Sequence, residues 1–342
     1  MKKINWGIIG LGNIARSFSE GFFDVDNSRL LSISSLNDTK IDYFKNRFSI
    51  DEDYIFTKYD DLLNCTDIDI VYITLPNNLH YEWVKKCIEK NKRILIEKPA
   101  FMKLENAVAI KKQINEKNLF FSEGYMYRYN PQIRKVVEII KSGEIGKAKY
   151  MESSFCENIL SKRKFFFFKK AKKIDKKSRL FNPKLGGGCI LDLGCYPASI
   201  SILIAYLTDG IDHEKFSLSN IKKEINSDQI EISAEAEINF DGGFTSKIKS
   251  SFKETDKSST IIYCTLGQLI INSTWKGETE LIKIKNGKKE FINNKFKKNI
   301  YSYQIDNISK SILKKNNKPL FPGFNINETE INTNILESWR NG

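Results

Sequence analysis

The run Ile4-Asn5-Trp6-Gly7-Ile8-Ile9 is almost wholly apolar and passes without a linker into Gly10-Leu11-Gly12-Asn13-Ile14-Ala15. A buried strand that turns through two glycines into a helix constrains the rest of the chain, because the turn gains meaning only between those two elements. Gly10 permits the tight turn. Gly12 lets a ligand come close to the backbone, and Ala15 is small enough for helix and strand to pack. The N–H groups at the helix start then suit an anion such as a pyrophosphate.

The chain up to Gly124 keeps the rhythm that this start sets. Strands are expected over residues 4–9, 30–34, 68–75, 94–97 and 119–123, and helices over 13–23, 40–47, 60–64, 81–90 and 104–116. Alternation of this kind reads as a parallel sheet with crossover helices, an α/β Rossmann domain over residues 1–124. After Gly124 the rhythm changes to a helix over 131–142 and β-rich segments over 148–155, 229–239, 243–251, 259–264, 268–272 and 280–284. One strong helix comes after Gly186-Gly187-Gly188; two more are expected over 301–314 and about 328–340. Residues 125–342 therefore read as an α+β domain with an open, predominantly antiparallel sheet.

The second strand ends in Ser34-Ser35-Leu36-Asn37, with no acid at its tip to bond a ribose diol. Ser35, Asn37, Arg16 and Lys40 could serve the extra phosphate of NADP, so of NAD and NADP the second is favoured, although Asp38 lies only a little further on.

Bulk properties exclude more than they assign. A chain of 342 residues exceeds what one hydrophobic core usually serves. No uncharged apolar run long enough to cross a bilayer is evident, and no cleavage site comes after Lys2 and Lys3. Six cysteines without CxxC pairing fit reduced thiols and a cytoplasmic setting, and two histidines leave little from which to build a metal site; none is expected. The net charge of +13 invites a nucleic-acid reading, but no motif supports one, and a solvated lysine-rich surface is favoured. Residues 162–177, KRKFFFFKKAKKIDKK, read either as a basic aromatic flap for a phosphate or lipid surface or as a solvated loop with its phenylalanines tucked in; the loop is favoured.

GIIGLGNIA, YITLPNNLHYEW, ILIEKPA, GYMYRYNPQ with SGEIGKAKY, and RLFNPKLGGGCILDLGCYP succeed one another in an order that resembles the Gfo/Idh/MocA oxidoreductases, and within them the glucose-fructose oxidoreductase and dihydrodiol or xylose dehydrogenase branch. The resemblance implies hydride transfer between a nicotinamide and a carbinol carbon at a cleft between two domains. It implies a cofactor crevice lined by Gly10, Gly12, Asn13, Ile14, Ser35, Asn37, Leu75, Pro76, Asn77, His80, Glu97 and Lys98, with His80 in a structural part. Catalysis would fall to Lys98, Tyr196 and Asp192, and the substrate side to Lys98, Tyr127, Arg128, Arg179, Asp192 and Tyr196, with Tyr129 beside them as a substrate-side or interdomain residue. A lysine at the carboxyl end of a sheet strand can hydrogen-bond a reacting oxygen and favour ionisation of a phenol, whose ordinary pKa near 10 is too high for a base at neutral pH. Asp192 and Tyr196, four apart on one helix, share a face, so Asp192 would orient a substrate hydroxyl; the alternative is a cap on local backbone donors. His213 falls in a polar loop and gets no role. Where the family carries a Ser-Arg pair for an adenosine phosphate, this chain has Ser35-Leu36.

The residues thus read as an NAD(P)-dependent enzyme acting on a sugar, sugar nucleotide or polyol. The rival readings are the family's NAD-retaining glycosidases and a ligand sensor without catalysis. A homodimer or homotetramer through the second domain's sheet is expected, because an open sheet leaves a broad face uncovered.

Overall fold

The computed structural model describes residues 2–164, 168–171, 178–256, 258–277, 280–293, 296 and 298–342. They form two compact units. The first is Met1–Asn130 with Phe296–Glu330, the second Pro131–Lys295 with Ile331–Gly342. This differs from a contiguous division at residue 124, because a late segment returns to the first unit.

The first unit is built on six strands, β1 (Ile4–Ile9), β2 (Ser28–Ser34), β3 (Ile55–Phe56), β4 (Ile70–Ile73), β5 (Arg93–Ile96) and β6 (Phe121–Glu123). They pair in the order β3-β2-β1-β4-β5-β6, and every pair is parallel. Helices α1 (Asn13–Glu20), α2 (Asp38–Phe48), α3 (Tyr59–Asn64), α4 (His80–Glu89) and α5 (Leu104–Glu116) are the crossovers. Alternation along the strands splits the core into two layers. Ile9, Val71, Ile73, Ile94 and Ile96 pack against α3, α4 and α5, whereas Trp6, Ile8, Ile33, Tyr72 and Leu95 face α1 and α2.

That second layer is completed from far along the chain. Helix α8 (Ile300–Leu313) adds Ile305, Ile308 and Ile312 to it. Ser309 Oγ accepts from the Trp6 indole at 3.1 Å and from Ser28 at 2.7 Å. A side chain at Gly21 would meet Ile305 and the Ser302 backbone at 3.0 Å, so the close approach of α8 needs that glycine.

The second unit holds an eight-stranded sheet in the order β10-β11-β12-β7-β13-β14-β15-β16, antiparallel except between β12 and β7. Its strands are β7 (Ala148–Cys156), β10 (Asp212–Ile225), β11 (Glu231–Asp241), β12 (Phe244–Ser251), β13 (Thr260–Cys264), β14 (Gly267–Ile271), β15 (Leu281–Lys285) and β16 (Lys288–Ile292). Helices α6 (Pro131–Lys141) and α7 (Cys195–Leu207) belong to this unit, and α9 (Ile326–Asn341) carries the boundary between units. β8 (Ser161–Lys164) and β9 (Phe168–Ala171) form a separate antiparallel hairpin. The segment 162–177 read as a solvated loop is therefore partly a hairpin; the rest of it lies outside the described residues.

Pro183–Leu207, which includes Lys184 and Asp192, is long and apolar enough by length and composition to cross a bilayer, but 89% of its most apolar window is buried inside the protein, as in a core helix. One expectation is corrected. His213 lies on β10, not in a loop, with its ring edge-on to Tyr206 at 5.1 Å.

The return of α8 gives a stability prediction. Ile308→Ala should cost about 2–5 kcal/mol, the usual range for emptying a buried aliphatic site, when unfolding is followed in urea. A loss below about 0.5 kcal/mol would mean that α8 is dispensable to the first unit's core.

Candidate functional site

The six-stranded sheet reverses its strand order between β1 and β4, and the expected cofactor residues gather just past the carboxyl ends of the strands around that point. Gly10 to Ile14 come after β1, Ser35 and Asn37 after β2, Leu75 to His80 after β4, and Glu97 and Lys98 after β5. Open α/β sheets bind ligands at such a crevice.

Gly10 has φ +87°, and a side chain there would strike Leu75 at 2.9 Å, so the turn itself demands glycine. Gly12 is different. Its φ is −83° and an added Cβ would touch nothing within 4 Å, so neither conformation nor packing within the protein requires glycine. The backbone at Gly12 is thus open to a molecule approaching from outside. No side chain caps the amides that open α1, and no acid stands in its first turn. The strand-end turn thus fits the pyrophosphate of a dinucleotide.

At the β2 tip Ser35 is buried, and its Oγ accepts from the Asn37 amide at 3.2 Å. Asn37 caps α2 through its oxygen, which accepts from Lys40 at 3.0 Å. Arg16 lies over the Tyr43 ring at 4.4 Å, and Leu36 is 75% exposed.

The Glu97-Lys98-Pro99-Ala100 segment is held residue by residue. Glu97 accepts from the Tyr72 hydroxyl and, at 3.2 Å, from the Lys98 amide. The Lys98–Pro99 bond is cis. Fully buried His80 reaches across from α4, with Nδ1 3.1 Å from Pro99 O and Nε2 2.8 Å from Leu75 O, tying the loops after β4 and β5 together. Glu123, at the end of β6, accepts from the Ala100 amide at 2.9 Å and from Thr329 at 2.8 Å. Sequence reasoning misses Tyr72, Glu123 and Thr329. A carboxylate ending an otherwise apolar strand at Glu123 is the available signal.

Several expected substrate residues are placed otherwise. Arg128 is fully buried, its guanidinium donating to Glu328 at 2.6 Å and to Pro322 O at 2.9 Å, all within the first unit. Burial of an arginine requires such pairing, and it gives Arg128 a structural role in place of a substrate contact. Tyr127 is fully buried against Tyr125. Tyr129 is buried with its hydroxyl 2.8 Å from Ser122, and burial pushes its phenol up to about 12.

In the second unit, Asp192 lies in a π-helical turn, Ile190–Gly194, that leads into α7 and Tyr196. Arg179 donates to Asp192 at 2.7 Å, so this carboxylate is engaged by a guanidinium. Gly187 makes the pairing possible: a side chain there would meet the carbonyls of Leu180 and Arg179 at 2.8 and 2.9 Å. Arg179 Nη1 is buried with no hydrogen-bond partner among the described residues, which leaves a donor for a ligand oxygen. Tyr196 is 5% exposed and packs between Phe155 and Trp275, with ring centroids 5.1 and 5.4 Å away. Lys98 belongs to the first unit and Tyr196 to the second.

Two predictions arise. Gly12→Ala should shift unfolding by about 1 kcal/mol or less, because the new methyl meets nothing, yet weaken NADP binding at least roughly tenfold in a fluorescence titration. Burial raises the Glu123 carboxyl to about 7, against the pull of its hydrogen bonds from Ala100 and Thr329. The folded chain then holds this proton more tightly than the unfolded one, so stability falls as pH rises from about 4.5 to about 7 and levels off above, with a slope up to ~1.4 kcal/mol per pH unit. Glu123→Gln should remove that slope when unfolding free energies of the two proteins are compared across the same window.

Residues 4–125 match an oxidoreductase family with an NAD-binding Rossmann fold, and residues 133–270 match the GFO/IDH/MocA C-terminal domain. The dTDP-3,4-didehydro-2,6-dideoxy-alpha-D-glucose 3-reductase of Saccharopolyspora spinosa is 24% identical over 282 residues, 82% of this chain and 77% of that protein. The D-xylose 1-dehydrogenase (NADP(+)) of Hypocrea jecorina is 29% identical over 204 residues, 57% of this chain and 51% of that protein. Among solved structures, an aldose-aldose oxidoreductase from Caulobacter crescentus complexed with glycerol shares the fold with a TM-score of 0.84 at 19% identity, over 99% of this chain and 96% of that one. A 3-ketoreductase from Actinomadura kijaniata in complex with NADP and TDP-benzene gives 0.81 at 19% identity, over 100% and 98%. With both parts matched in order and the dinucleotide turn in place, the chain belongs to the Gfo/Idh/MocA family of NAD(P)-binding oxidoreductases.

Proposed function

We propose that this protein moves a hydride between NADP and a carbinol carbon of a sugar or sugar nucleotide. The observation that carries the reading is the crevice at the strand-order reversal, where a Cβ on Gly12 would meet no protein atom while Lys98 is fixed by Glu97 and its loop by His80. Bound NADP supplies the hydride acceptor in oxidation and the donor in reduction. Lys98 holds the reacting oxygen through its ammonium, and Tyr196 takes the hydroxyl proton in oxidation and returns it in reduction. Asp192, oriented by Arg179, accepts from a neighbouring hydroxyl, and Arg179 Nη1 donates to the same ring. The absence of an acid at the β2 tip supports NADP over NAD, as does the NADP(+) named for the related xylose dehydrogenase.

A homodimer or homotetramer through the open face of the eight-stranded sheet belongs to the same proposal. That face carries the paired rings of Tyr150 and Tyr263 at 5.8 Å, and tyrosine is enriched in interfaces.

Lys98→Ala and Tyr196→Phe should each lower kcat by roughly two to four orders of magnitude, the scale of a lost proton-transfer group, while NADP affinity stays within about threefold. The assay is the nicotinamide absorbance over a panel of sugars and sugar nucleotides. Unchanged turnover in both variants overturns the assignment, and release of a sugar with no net absorbance change would favour the glycosidase chemistry of the family.

A further inference from the structure

Tyr196, the residue proposed to carry the proton, is held by two rings from elsewhere in its own unit. Phe155, near the end of β7, meets it edge-on with centroids 5.1 Å apart, and Trp275, from the loop after β14, lies against it at 5.4 Å and 54°. Phe155 and Trp275 also stack on each other, 25° apart at 5.8 Å. Tyr196 is 5% exposed and Trp275 1%, so the three rings pack pairwise in the interior and a shift of one is passed to the other two.

Trp275 does more than fill space, because its plane is fixed from outside the three rings. Its indole N–H donates to Ser154 O at 2.9 Å, one residue past the last pair between β7 and β13, Ser153 with Thr260. The loop that carries it is braced on both sides. The Asn272 carbonyl accepts from Gln132 of α6 at 3.1 Å, the Thr274 amide donates to Ser258 O at 3.0 Å, and the amides of Lys276 and Gly277 donate to Ser273 O at 3.1 and 2.9 Å. Thr274 is fully buried. Its hydroxyl donates to Ile271 O at 3.0 Å and lies 3.1 Å from Thr260 Oγ1, which in turn lies 2.8 Å from Ser153 Oγ. Hydroxyl contacts thus run from the neighbour of Trp275 to β7, the strand that carries Phe155.

The consequence is the direction of the phenol oxygen. A tyrosine hydroxyl stands at the far end of a rigid ring, so a small swing near Cα becomes a large displacement there, and a misplacement of about 1 Å can cost on the order of a hundredfold in rate. Catalytic groups need holding to within about 10–20° of the productive direction, by packing that locks their rotamers.

We infer that Trp275 is a positioning residue for the proton transfer, one that fixes the direction of the Tyr196 hydroxyl through the plane of its indole. The inference rests on the assignment of Tyr196 as the proton carrier.

The test is a double-mutant cycle of Trp275→Leu with Tyr196→Phe in the full chain, followed as NADP reduction with D-xylose, D-glucose and TDP-glucose. Trp275→Leu should lower kcat on the order of ten- to a hundredfold, while KM and the Kd for NADP stay within about threefold. Trp275→Phe, which keeps a flat ring against Tyr196, should recover all but about threefold of that loss. In the Tyr196→Phe background, Trp275→Leu should change kcat by less than about twofold, because no hydroxyl remains to be aimed. A residue that supports only the fold would lower kcat by the same factor in both backgrounds, and that result overturns the inference. Wild-type kcat in Trp275→Leu, with Tyr196→Phe impaired, overturns it as well. Full turnover in Tyr196→Phe is a different failure: it removes the proton-carrying reading of Tyr196, and this inference with it. If Trp275→Leu does not fold, the same cycle is read with Trp275→Phe, whose loss should vanish in the Tyr196→Phe background. NMR of ring-labelled tyrosine reads the packing without turnover. The Tyr196 ring should flip more slowly in the wild type than in the Trp275 variants, and equal rates overturn the inference.

Discussion

Two buried carboxylates hold the segment on which the proposed chemistry depends. Glu97 and Glu123 stand at the ends of neighbouring strands and take the amides of Lys98 and Ala100 respectively, while His80 reaches the Pro99 carbonyl from the other side. A lysine side chain is long and loses much rotamer freedom when it is put to use, so fixing its backbone limits what must be ordered at the moment of binding. Glu123 reaches beyond the sheet too, since its second oxygen accepts from Thr329 at the start of α9. The loop after β5 is thereby braced by residues more than two hundred positions downstream.

The second unit solves a similar problem with glycine. Gly187 lets the backbone at Arg179 and Leu180 lie against the helix start, and Gly188, at φ +107°, turns the chain into it. The π-helical turn at Ile190–Gly194 then widens the helix where Asp192 must meet Arg179. Such turns are frequent at functional sites.

Much of this is legible in the sequence, for physical reasons that differ from place to place. β1 and α5 fall on their expected residues because an apolar run and a helical stripe, each bounded by turn residues, have one reading apiece. β10 and β16 escape because they are the two edges of the eight-stranded sheet, where lysine and glutamate replace the apolar alternation that marks a buried strand. Helix α8 is legible but its loyalty to the first unit is not, since periodicity reveals a buried face and says nothing about what buries it. Arg128 shows the same limit: its motif position suggests a ligand, whereas Glu328, two hundred residues away, claims it.

The return of residues 296–330 to the first unit bears on how the protein is made. During synthesis the strands of the six-stranded sheet leave the ribosome early, but the layer around Trp6 and Ile8, covered by α1 and α2, stays incomplete until Ile305, Ile308 and Ile312 emerge. At a synthesis rate of roughly 5–20 residues per second, the wait for the intervening chain lasts on the order of ten seconds or more. For that interval a half-finished sheet shows an oily flank to water, and chaperone capture during translation would act on that flank.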